Sequence, residues 1–332
     1  MATPSEPRRR LIDPDSTTAT PTPARPAGVR LSTDRRLAEA AVLGVMVIWA
    51  ANFIVVKEAI SDFPPVAFTM LRYGLASVAL IAILRWYEGA IRLPHPDTLR
   101  MLALGGLGFG LYQILWTTGL QSIPAGDSAL IIASTPVLVA VLAVVAGSDT
   151  LTPMKFAGAA LSFLGVVVVI GAGVGISLSG SFVGSALTLL AAMCWASYTA
   201  FAAPVLRRQT PLVLTTWATI GGTIVMTPVG IAELLAPGAI HPDLEVLPLA
   251  LAVAYSGILA AAFSNIIVFN GVRLLGPTRV ITLQSFVPAM AVVMAYFFLG
   301  EPIRPAQVVG GLIIVLGVAL TRWASMRPAA AS

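Results

Sequence analysis

Charge is scarce in this chain. Only 11% of its 332 residues are Asp, Glu, Lys or Arg, where a water-soluble domain carries about 25%. That is too little to cover a solvated surface, so a soluble domain is excluded. Cysteine occurs once, at Cys194 within an apolar run, which excludes a disulfide framework and leaves the compartment unread. The two histidines, His95 and His241, fall in loops between apolar runs. Neither a histidine pair at helical spacing nor a Gly-x-Ser-x-Gly elbow is present, so no metal site, cofactor or enzymatic activity is expected.

What is abundant is apolar: 57% of residues are hydrophobic, and the mean hydropathy is +0.90. The net charge of +5 does not describe a nucleic-acid face. Seven of the twenty Lys and Arg residues lie in the first 36 positions, and most others sit at the ends of apolar runs. That distribution is an orientation signal, and the expected surroundings are a lipid bilayer.

Residues 1–37 are rich in Pro, Thr, Ala and Arg and read as a disordered tail. The first apolar run starts too late and is too long for a cleavable signal peptide. Ten spans of roughly 20 residues follow, the length that crosses about 30 Å of hydrocarbon. They are Ala38–Ile60, Val66–Leu84, Thr98–Gly119, Ala125–Ala146, Met154–Gly173, Phe182–Ala203, Leu212–Leu235, Val246–Asn270, Arg279–Leu299 and Pro305–Trp323. Short loops bearing Pro64, Pro65, Pro94, Pro124, Pro211 and Pro277 make neighbouring spans antiparallel. The fold class is an all-α integral membrane protein.

With the tail placed inside, 17 of the 20 positive residues are inside, leaving Lys57, Arg72 and Arg304. The other side holds Glu58, Asp62, Glu233, Asp243, Glu245 and Glu301. The excess predicts both termini in the cytoplasm, in the cytoplasmic (inner) membrane of a bacterium.

The chain also repeats itself. A shift of 152 positions lays Gly119 on Gly271, Pro136 on Pro288, Pro153 on Pro305, Gly158 on Gly310 and Gly165 on Gly317. A shift of 146 lays Trp49 on Trp195 and Pro65 on Pro211. Five crossings per unit are an odd number, so the second unit is inverted relative to the first. The expected units are 38–173 and 182–323, with a short tail, 324–332. Charges follow the inversion: Asp127 aligns with Arg279 and Asp62 with Arg208, while Asp149 and Glu301 keep their sign.

The run IWAANFIVVKEAISDFPPVAFTMLRYGLA, the GLQSIPA junction, the Pro136 span and the ending LGEPIRPAQVVGGLIIVLGVAL resemble the EamA-type drug/metabolite transporter superfamily. The resemblance covers about Ala38 to Trp323. It implies ten helices in two inverted five-helix halves around a central cavity, and a small-molecule substrate. Within the superfamily the chain resembles amino-acid exporters of the YddG type, and a monomer is expected. Multidrug export of lipophilic cations is the alternative.

Polar groups at mid-membrane depth are costly unless satisfied, which makes them candidate site residues. Trp49 and Asn52 share a face of the first span, as do their repeat counterparts Trp195 and Tyr198 on the sixth. The third span offers Tyr112, Gln113 and Trp116, and the eighth offers Asn265, the counterpart of Gln113. Ser134 and Thr135 precede Pro136, and Gln284 and Ser285 precede Pro288. Amides and aromatic faces suit a zwitterion with an apolar side chain. The plainer reading is that such residues join helices to one another.

Pro136 and Pro288 each remove a backbone hydrogen bond and are candidate hinges. Lys57 and Arg72 are candidate gate residues. Lys57 has Glu58 and Asp62 as nearby partners, and Arg72 has the options of snorkelling to backbone carbonyls, of holding a gate or of attracting a carboxylate. Gly106 and Gly110 on the third span, Gly158 and Gly165 on the fifth, and Gly310 and Gly317 on the tenth are assigned to close helix packing. No Asp, Glu or His lies near the centre of a span, so transport down the substrate gradient is expected rather than proton coupling.

Overall fold

The computed structural model describes residues 35–89, 97–145, 152–174, 180–241 and 243–326. The tail before Arg35 lies outside them, with Arg92, Pro94, His95, Asp149 and Arg327. Ten helices are long and apolar enough to cross a membrane: α1 (Arg35–Asp62), α2 (Pro65–Glu88), α3 (Asp97–Ser122), α4 (Ala125–Val145), α5 (Pro153–Gly171), α6 (Ser181–Leu206), α7 (Pro211–Leu234), α8 (Val246–Leu275), α9 (Arg279–Leu299) and α10 (Pro305–Ala324). The protein is a multi-pass membrane protein.

Proline opens α2 and α7, where its fixed φ suits the first turn and its missing N–H leaves nothing unpaired. α8 runs past its predicted end at Asn270 to Leu275 and stops at Gly276, whose φ of +85° few other residues adopt.

The end of the bundle opposite the N-terminus, here the distal end, is closed by acidic caps. The Glu233 carboxylate accepts from the amides of Val66 and Ala67 at 2.8 and 2.9 Å, and so caps α2. Glu301 accepts from Ala125 (2.8 Å) and Gly126 (3.3 Å) and caps α4. Carboxylates there complement the positive end of the helix dipole, which explains why Glu301 stays acidic. At the opposite end Arg208 pairs with Asp97 at 3.0 Å, and Arg279 pairs with Glu39 at 2.7 Å.

The helix neighbours obey the repeat. α1 packs on α8 and α9, and its counterpart α6 packs on α3 and α4. α2 lies against the middle of α8, and α7 lies against α3. The pairs α2–α7 and α5–α10 face each other across the axis relating the halves. In α5–α10 the backbones touch. A Cβ on Gly165 would lie 2.7 Å from the Gly310 carbonyl, and one on Gly317 would lie 2.6 Å from that of Gly158. Cβ atoms on Gly106 and Gly110 of α3 would meet the Val225 side chain of α7 at 3.0 and 2.8 Å.

Two irregularities recur in both halves. α4 is broken between Ile132 and Thr135, and α9 between Gln284 and Val287, just ahead of Pro136 and Pro288 respectively. Proline has no N–H to donate four residues back. In α4 the freed Ile132 carbonyl instead accepts the Thr135 hydroxyl at 2.6 Å. The middles of α3 and α8 are π-helical, over Gly106–Leu111 and Tyr255–Phe263. The 152-residue shift superposes these stretches over 258–263. Such bulges widen a turn and concentrate at functional sites.

Candidate functional site

Phe109 and Tyr112 project from α3 onto Trp195 and Tyr198 of α6, and Trp116 lies beside Tyr112. Ring centroids lie 5.4 Å apart for Phe109–Trp195, 5.2 Å for Phe109–Tyr198, 5.5 Å for Tyr112–Trp195 and 5.3 Å for Trp195–Tyr198. Tyr112 and Trp116 are parallel at 6.3 Å. Phe53 of α1 meets Trp116 edge-on at 5.4 Å, so α1 also reaches the cluster.

α2 supplies the charge. Arg72 is 2% exposed, and its Nη2 donates to Gln113 Oε1 at 2.6 Å. Gln113 Nε2 donates in turn to the Tyr73 hydroxyl at 2.7 Å. The guanidinium carbon lies 5.1 Å from the Tyr73 ring centre, 5.6 Å from that of Trp116 and 5.8 Å from that of Phe68. Aromatic faces attract a cation by their quadrupole. Among the described residues no carboxylate pairs with Arg72, and its Nε has no hydrogen-bond partner. Of the options open to Arg72 in the sequence, the structure shows neither snorkelling nor a backbone carbonyl partner. The side chain turns inward, to an amide and three rings.

Trp116 is anchored by its indole N–H, which donates to Ser128 Oγ of α4 at 2.9 Å. Ser128 lies in the half of α4 that precedes the break. The ring beside the guanidinium is therefore tied to a segment with an interrupted backbone ladder.

A second polar seam joins α1 to the π-helical part of α8. Trp49 Nε1 donates to the Ala260 carbonyl at 3.0 Å, Tyr255 donates to Ile48 O at 2.9 Å, and Ser256 donates to Asn52 Oδ1 at 2.7 Å. Trp49 and Asn52 are thus engaged with α8.

The remaining candidates stand apart from the aromatic cluster. Asn265 donates to Ala261 O of its own helix, Ser134 to Ile131 O and Ser285 to Ile281 O. Gln284 is half-buried, and its side chain has no partner among the described residues. Lys57 pairs with neither Glu58 nor Asp62. Its Nζ donates to the carbonyls of Leu120 (2.6 Å), Gln121 (3.1 Å) and Ile123 (2.9 Å), closing the C-terminal end of α3. Helix C-termini leave such carbonyls unpaired and favour a cation.

A groove of about 740 Å³ opens at the distal end between α1, α8 and α9. Glu58, Asp62, Asp243 and Glu245 line it with apolar side chains, and Tyr255 reaches into it. The groove thus runs from solvent toward the α1–α8 seam. None of the candidate cavity or gate residues of the sequence lines it.

Sequence reasoning missed Phe53, Phe68, Tyr73, Phe109, Ser128, Tyr255 and Ser256. The phenylalanines carry no polar atom and read as core. The signals that point to the others are position alone: Tyr73 adjoins Arg72, and Tyr255 and Ser256 precede Gly257, which the 152-residue shift lays on Gly105.

Comparison with known proteins bears on the family. Residues 36–171 and 182–323 each match the EamA-like transporter family. A probable terminal-alkyne amino-acid exporter of Streptantibioticus cattleyicolor is 31% identical over 284 residues, covering 84% of this chain and 91% of that one. A probable amino-acid metabolite efflux pump of Salmonella typhimurium is 29% identical over 286 residues, covering 82% and 91%. One crystal structure shares the fold with a TM-score of 0.60 at 18% identity, covering 89% of this chain and all of that one. Two matched halves of ten membrane-spanning helices, built around a buried aromatic and polar cluster, place this chain in the EamA-like transporter family.

Proposed function

We propose that the protein exports amino acids with apolar side chains from the cytoplasm by alternating access, down their gradient. The observation that carries this reading is the pair of broken helices. α4 and α9 are interrupted at equivalent points of two oppositely oriented halves, and Trp116 of the aromatic cluster is fastened to the first half of α4 through Ser128. A rocking pair of this kind alternately opens a site to either side. The amino-acid export for which two relatives are named supports the substrate class.

On this reading the units are 38–173 and 182–323, both termini are cytoplasmic, and a monomer suffices in the bacterial inner membrane. The groove at the distal end then faces outward, and its four carboxylates draw the ammonium of a leaving substrate. Those carboxylates also favour a second reading, export of lipophilic cations.

Counterflow into liposomes loaded with leucine, phenylalanine or a cationic dye separates the two. The proposal expects exchange of the amino acids, unchanged by an imposed pH gradient. Dye exchange without amino-acid exchange supports the second reading, and steep pH-driven accumulation overturns the facilitated mechanism.

A further inference from the structure

The two halves of the bundle contain an internal control. In the second half, a Cβ on Gly257 of α8 would run into the backbone carbonyl of Arg72 on α2. In the first half, a Cβ on Gly105 of α3 would run into the backbone carbonyl of Ala218 on α7. Gly105 and Gly257 are counterparts at the 152-residue shift, and Arg72 and Ala218 at the 146-residue shift, each seven residues past the proline that opens its helix. The same helix crossing is therefore made once with alanine and once with arginine. The crossing needs no guanidinium.

Yet the guanidinium is kept where it is costly, 2% exposed and without a carboxylate among the described residues. A buried cation without an anion is strongly unfavourable. Gln113 satisfies one nitrogen, while Nε has no partner. The repeat also breaks in the neighbouring polar residues. Tyr73 and Gln113 form a chain with Arg72, whereas Asn265, the counterpart of Gln113, bonds its own helix. Backbone symmetry with one-sided chemistry is what a site for one asymmetric ligand requires.

We infer that Arg72 is the carboxylate receptor of the transported molecule, with Gln113 and Tyr73 as its positioning residues. The inference rests on the export reading and gives its substrates an obligatory carboxylate. A guanidinium binds a carboxylate through two parallel N–H donors, and Nε with one Nη forms such a pair. The flanking rings of Trp116, Phe68 and Tyr73 supply an apolar wall and exclude water.

The test uses the full-length protein in liposomes and three radiolabelled probes: phenylalanine, phenylalaninamide and 3-phenylpropionate, which carry both charges, only the positive charge and only the negative charge. The wild type is expected to exchange phenylalanine at least tenfold faster than its amide. Arg72→Gln is expected to abolish that preference, and Arg72→Lys to retain part of it. Both variants are expected to insert and to elute as the wild type does, as the Ala218 crossing indicates.

Equal exchange of acid and amide by the wild type overturns the inference without any variant. An Arg72→Gln protein that keeps the preference, or that fails to fold where Arg72→Lys folds, overturns it as well. Exchange of 3-phenylpropionate alone supports the role of Arg72 and removes the amino-acid reading. Exchange of the amide alone, or of none of the three, removes both.

Discussion

The indole of Trp116 and the hydroxyl of Ser128 meet at 2.9 Å, joining α3 to the first half of α4. The bond holds the ring that walls Arg72 against a helix segment whose backbone ladder stops after Ile132. Ser128→Ala removes this link while leaving both helices and the apolar packing in place. On the export reading, counterflow should slow several-fold, and Trp fluorescence should show a less constrained indole. Stability should fall by about 1–3 kcal/mol, because the buried indole N–H loses its acceptor. Unchanged counterflow would detach Trp116 from the transport cycle.

Lys57 serves α3 from outside it. Replacing it with Met keeps the length of the stem and leaves the Leu120, Gln121 and Ile123 carbonyls without their donor. The expected loss is about 1–3 kcal/mol, read as a lower unfolding midpoint in detergent, with Arg restoring part of it. A gate residue would instead change the transport rate at constant stability, so the two measurements together separate cap from gate.

Gly165 and Gly171 lie on the same helix in opposite circumstances. Gly165→Leu places its side chain against the Gly310 carbonyl and Ile314 of α10, whereas a Cβ on Gly171 meets nothing within 4 Å. The first should yield little folded protein. Gly171→Ala should be neutral or slightly stabilising, because alanine is the better helix former. Yield after size-exclusion chromatography reads both.

The acidic cap on α4 is also open to test. Glu301→Ala leaves the Ala125 and Gly126 amides without their acceptor. It should cost about 0.5–2 kcal/mol. Adding salt should lower the unfolding midpoint of the wild type more than that of the variant, since only the wild type keeps a charged cap at the exposed end.

Removal of the prolines tests the hinge reading of the helix breaks. Pro136→Ala and Pro288→Ala each restore an N–H four residues after a carbonyl, allowing the ladder to close. The expected outcome is an intact protein with slower counterflow, the double variant being the slowest. Wild-type rates in both single variants would leave the breaks as features of packing alone.

The ten spans, the duplication and the inversion were legible in the chain because each rests on local information. Apolar length sets a crossing, proline and glycine punctuate it, and an odd number of crossings per unit turns the copy over. The glycines of α5 and α10 were legible too, since a small residue at a fixed register announces a close neighbour. The partners of the polar residues were not legible. Arg72 finds Gln113 from 41 residues away and Lys57 finds Leu120 from 63, and those meetings depend on which helix faces become neighbours. The π-helical stretches reset the faces of α3 and α8 partway along, which no uniform spacing reports. Composition and repeat thus determined that a two-fold membrane bundle forms. Only the packed bundle decided where its symmetry is broken, because a side chain's partner is set by helix rotation and not by position along the chain.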